Sequence, residues 1–180
     1  MNWWKGRKNN SQVKVGFWGT QRDTLEYRDN RKIQVGVTHE MLTADYPFAW
    51  MINENVPNHP TLCKMGMHAC PKPHHVSEFA GNSTRLYLVI VAGDITDIEY
   101  SGDKCKTKFC GRVRTYMGFI EPKDLPSSNQ RIFSTLWNNM GYPTDTEIRF
   151  GWYSPNFNRA VRNAFNKKYP QHASLIKETI

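Results

Sequence analysis

The sequence predicts an α+β fold: a single domain built on an antiparallel sheet with two to three packed helices, preceded by a flexible basic N-terminal arm. Three observations carry this. The apolar period switches between two residues and about 3.6 along the chain, the unbroken apolar runs are of strand length, and 180 residues at 39% hydrophobic content can bury one core. The expected divisions are an arm over residues 1–11, the domain over 12–170 and a tail over 171–180.

Residues 1–11 are polar and basic apart from Trp3 and Trp4 and show no period, hence the arm. Val13, Val15 and Phe17 alternate with polar residues and predict a first strand. Ile33, Val35 and Val37 predict a second, with Asp29-Asn30 as a turn, so the two are expected to pair. Asp45 as N-cap with Pro47 in the first turn predicts a helix through Phe48, Trp50, Met51 and Ile52 that stops at Val56-Pro57. Residues 57–73 hold four prolines and read as an irregular connection.

Residues 85–91 form a nearly continuous β-branched and aromatic run, which predicts a strand buried on both faces. Gly93-Asp94 turns the chain into a strand with Ile95, Ile98 and Tyr100. Ser101-Gly102-Asp103 turns it again into a basic strand over residues 106–120, and a meander results. Ser127 or Ser128 caps a helix with Ile132, Phe133, Leu136, Trp137 and Met140 on one face, ended by Gly141. Ile148, Phe150 and Trp152 alternate as a strand. Ser154-Pro155 opens a final helix that gathers Phe157, Ala160, Val161, Ala164 and Phe165 on one face, and Tyr169-Pro170 stops it.

Charge is distributed unevenly. Residues 1–32 carry eight bases and three acids, residues 40–103 three bases and eight acids, and residues 104–180 thirteen bases and five acids. Two basic ends around an acidic waist favour anionic partners and head-to-tail contact between copies. Trp3 and Trp4 beside Lys5, Arg7 and Lys8 combine interfacial anchors with cations, each worth about 1 kcal/mol near an anionic bilayer, and are candidates for membrane or nucleocapsid contact. Lys104, Lys106, Lys108, Arg112 and Arg114 share the even positions of the basic strand. On one face they would stand about 6 to 7 Å apart, close to successive phosphates. With Arg159, Arg162 and Lys167 of the final helix they are the candidate nucleic-acid contacts. A strand edge protected by charge has the same composition.

Cys63, His68, Cys70 and His74 offer thiolates and imidazoles for a structural zinc, although their spacing fits no standard finger. No other cofactor is expected. No catalytic residue is assigned, because Walker, G-x-S-x-G, H-E-x-x-H and deaminase motifs are all missing. A pocket gathering His39, Glu40, His59 and the Cys/His loop would be the first sign of an enzyme. No apolar run reaches the roughly 18 to 20 residues of a membrane span, and no secretory signal is legible at the start, so a cytosolic chain is expected.

The order of parts, a basic arm with aromatic anchors followed by a small basic α+β domain without enzyme signatures, resembles the matrix proteins of rhabdoviruses, particularly those of plant-infecting members. The nearest local likeness is residues 32–38 leading into residues 47–53, similar to the strand and helix that open that family's globular domain. The resemblance implies a viral structural protein of the host cytoplasm, peripheral membrane and virion. Such a protein self-associates and bridges ribonucleoprotein to the anionic inner membrane surface. Only the basic arm, Trp3 to Lys8, carries over, as the membrane or nucleocapsid contact that the resemblance implies. The alternative is a non-enzymatic RNA-binding protein such as a viral silencing suppressor.

Overall fold

The computed structural model describes residues 4–8, 12–19, 32–40, 67–78, 85–100, 107–127 and 155–177. In chain order these contain β1 (Trp4–Lys8), β2 (Val13–Gly19), β3 (Thr38–Glu40), β4 (Met67–Ala69), β5 (Leu86–Ala92), β6 (Thr96–Tyr100), β7 (Thr107–Gly111) and β8 (Val113–Ile120). The helices α1 (Pro155–Lys168) and α2 (Ala173–Lys177) follow. The strands form two antiparallel sheets, ordered β1-β6-β7-β4 and β2-β5-β8-β3. A bridge between Phe17 and Cys70, with both backbone hydrogen bonds at 2.8 Å, ties one sheet to the other. The α+β class read from the sequence is the fold, with two sheets in place of one.

β5 lies between β2 and β8, and Leu86, Leu88, Val89 and Val91 are fully buried, as its two-faced apolar run requires. β8 alternates strictly: Arg114, Tyr116, Gly118 and Ile120 point inward and Val113, Thr115, Met117 and Phe119 are half-exposed. The buried stripe of α1, Phe157, Val161, Ala164 and Phe165, closes the core, and Phe165 meets Phe17 at 5.8 Å between ring centroids. Below it, the Tyr169 hydroxyl accepts from the Phe119 N–H and donates to its carbonyl, both at 3.1 Å. The Tyr169 ring fills the place a Cβ on Gly118 would take.

The chain passes between the sheets twice at one corner. Gly93 and Asp94, both with positive φ, lead from β5 to β6, and Arg112 leads from β7 to β8. The Arg112 N–H donates to Ala92 and Gly93 carbonyls at 2.9 Å, and its Nε donates to Asp94 Oδ2 at 2.6 Å. The expected single basic strand over residues 106–120 is therefore two strands in different sheets. The single backbone N–H of Arg112 is shared between two carbonyls of the other crossing, which stops the ladder there.

Four further expectations are corrected. The arm is not flexible over Trp4–Lys8: it is an edge strand paired with β6, in a register that sets Lys5 opposite Glu99 and Arg7 opposite Asp97. The first two expected strands do not pair with each other, since β2 joins β5 while Val35-Gly36 turns into β3, which joins β8. Residues 57–73 include a strand, β4, held by β7 in the register His68↔Cys110. The tail contains α2, whose Ile176 is fully buried in the core. The expected elements at residues 45–56, 128–141 and 148–152 lie outside the described residues.

Candidate anion-binding groove

After β8, Glu121 caps a 3-10 turn (Pro122–Asp124), its N–H donating to Asp124 Oδ2 at 2.8 Å. This turn and the two residues after it face α1 across an open groove of about 510 Å³. Leu125, Pro126, Ala160 and Ala164 give it apolar lining, and Lys123, Arg159, Asn163 and Lys167 give it polar edges. On a helix, Arg159, Asn163 and Lys167 stand at i, i+4 and i+8, a straight stripe with steps of about 6 Å. All three are exposed.

Asp124 also lines the groove, and it and Glu121, just before the turn, are engaged away from that stripe. Asp124 takes Lys168 at 3.4 Å, and Glu121 takes Lys123 at 3.2 Å and Arg85 at 3.3 Å. Burial works to lower the Arg85 pKa, but hydrogen bonds and charge from Tyr87 and Glu121 outweigh it and the value is raised, so Arg85 holds Glu121 as a fixed cation. Among the described residues no carboxylate pairs with Arg159, Arg162 or Lys167. The stripe can meet an anion without breaking an ion pair.

Of the residues singled out in the sequence, Arg159 and Lys167 come together here. Arg162 lies on α1 but does not line the groove. The even-numbered row separates: Lys108 is on β7, Arg112 is clamped at the corner, and Arg114 is 3% exposed in the core. Lys104 and Lys106 lie outside the described residues, as does Trp3. Trp4, Lys5, Arg7 and Lys8 are on β1.

For zinc, Cys63 lies outside the described residues, His68 is on β4, Cys70 follows it, and His74 is in a 3-10 turn (Pro73–Glu78). Among the described residues no group of three or more His, Cys, Asp or Glu could hold a metal ion. His39 and Glu40 are on β3, where His39 is buried and Glu40 exposed, while His59 lies outside the described residues. Asn163 and Lys123 were not singled out. Asn163 was findable, since it sits midway between two bases at helical spacing.

The chain belongs to the DUF7666 family, described as a domain of unknown function, whose model matches residues 18–117. No curated protein and no solved structure matches significantly. The groove residues, from Lys123 to Lys167, lie beyond the matched segment.

Proposed function

We propose that the chain is a non-enzymatic RNA-binding protein that holds a phosphate backbone along the α1 groove. The observation that carries the reading is the exposed stripe of Arg159, Asn163 and Lys167, whose cations have no carboxylate partner among the described residues. The basic N-terminal segment has answering charge nearby. Lys5 and Arg7 stand opposite Glu99 and Asp97 in register, and Lys14 Nζ meets Asp97 Oδ1 at 2.6 Å. Asp97 of the acidic waist thus engages Lys14 of the basic N-terminal segment from one sheet to the other, which favours the C-terminal end as the outward cationic surface. Steps of about 6 Å along a helix match successive phosphates closely enough for side chains to contact each in turn. Apolar lining beside the stripe accepts sugar and base surface without reading sequence.

The membrane-bridging role implied by the resemblance uses the same charge on a different anion, and one experiment separates the two. Fluorescence anisotropy with a labelled single-stranded RNA 20-mer is run beside co-sedimentation with phosphatidylserine vesicles, for the native chain and the Arg159→Gln/Lys167→Gln variant. RNA affinity falling roughly tenfold or more in the variant supports the reading. Unchanged RNA affinity, with vesicle binding lost instead, overturns it in favour of a membrane surface.

A further inference from the structure

The middle residue of the α1 stripe differs in kind from its neighbours. Arg159 and Lys167 carry donors alone, whereas the side-chain amide of Asn163 holds an acceptor and donors side by side. No other group in the groove lining offers that pairing. Lys123 only donates, and Asp124 only accepts, its Oδ2 already taking the Glu121 N–H at 2.8 Å and Lys168 at 3.4 Å. Asn163 is exposed, and among the described residues no hydrogen bond engages its side chain.

Phosphate is a poor partner for this amide. Its oxygens accept, so an amide turned toward them leaves its own carbonyl oxygen facing an anion. A third cation at this position would serve a phosphate track better. What lies beside Asn163 is apolar: Ala160 is one turn behind it, Ala164 follows it, and Leu125 and Pro126 come across from the 3-10 turn. The two cations stand about 12 Å apart along the helix axis, which is two phosphate steps and leaves one nucleotide centred on the amide. A groove of about 510 Å³ has room for its base.

We infer that Asn163 is the specificity-determining residue of the groove and selects adenine in single-stranded RNA, an inference that rests on the phosphate-backbone reading. The base lies on the apolar floor, which accepts any base, and its edge meets the amide while Arg159 and Lys167 hold the phosphates on either side. Adenine sets a donor beside an acceptor on both of its edges, N6–H with N7 and N6–H with N1, so the amide can pair with it bidentately in either orientation. Cytosine and uracil offer one such edge each and cover less of the floor. Guanine gives one of its edges to two acceptors, N7 and O6, which suit an arginine or a lysine, and here those side chains are turned to phosphate.

The test is fluorescence anisotropy on the full chain with labelled single-stranded 12-mers: an all-uridine strand and three in which every third uridine is replaced by adenosine, cytidine or guanosine. The adenosine strand is expected to bind roughly fivefold tighter or more than the all-uridine strand, and Asn163→Ala should abolish that margin. Alanine is the better helix former, so the variant keeps α1. Asn163→Gln, which restores an amide, should recover part of the preference. The inference is overturned if the native chain binds the four strands alike, or if cytidine or guanosine is preferred. It is equally overturned if Asn163→Ala weakens all four by one factor and leaves the margin, which would put the amide on the backbone. Equal binding of the four strands, with a salt slope that still becomes shallower in Arg159→Gln/Lys167→Gln, removes the base selection alone. No RNA binding by the native chain removes the phosphate-backbone reading with it.

Discussion

Arg114 shows how one residue's meaning depends on the phase of its strand. It is in step with Tyr116 and Ile120, both fully buried, as much as with Lys106 and Lys108 before it. The phase of those apolar residues was legible and marks Arg114 as inward. What was not legible is the break at Arg112, since nothing in the local pattern announces a change of sheet. Replacing Arg114 with Met would remove its hydrogen bonds to the Tyr116 hydroxyl and the His68 carbonyl. The expected loss is about 2–4 kcal/mol in urea unfolding. Gly16 is constrained by closeness: a Cβ there would stand 2.6 Å from the Cys70 carbonyl and 2.7 Å from the Phe109 ring. Gly16→Ala should cost about 2 kcal/mol or more, because the contact includes backbone at the bridge between the sheets. A wild-type urea midpoint in either variant would contradict this packing.

Among the elements, β5 and α1 were legible because each is decided by its own residues. An apolar run of strand length needs two covered faces, and a stripe at helical spacing needs one. β1 and β4 were not, because each owes its form to a partner: β1 to the acidic strand β6 and β4 to β7. Removal of residues 1–8 therefore tests an element. A loose arm would leave stability unchanged, whereas loss of β1 should lower the melting temperature by several degrees and open the β6 edge to self-association, measured by light scattering. At the other end, Tyr169→Phe removes a hydroxyl that makes two hydrogen bonds to Phe119. It should cost about 1–2 kcal/mol in urea unfolding and no RNA affinity, since Tyr169 does not line the groove.

On the scale of the whole molecule, charge does two jobs. The waist carboxylates Asp94 and Asp97 meet Arg112 and Lys14, each at 2.6 Å, and help join corner and sheet. The α1 stripe faces solvent. A tally of charge along the chain reveals the excess but not which bases are answered internally, because that depends on strand register between distant segments. Arg159 and Lys167 were legible as candidates for the same reason that α1 was, and Lys123 was not, since only the fold brings it across from them. Exposed ion pairs of the first kind contribute little, so moderate salt should scarcely change the melting temperature while it weakens RNA binding strongly.

The most direct measurement is the slope of log K against log salt for single-stranded RNA, taken for the native chain and for Arg159→Gln/Lys167→Gln. Two lost phosphate contacts should make the slope shallower by about 1.4, at roughly 0.7 per contact on a single strand. An identical slope in both proteins would mean that the α1 groove touches no phosphate, and would contradict the account.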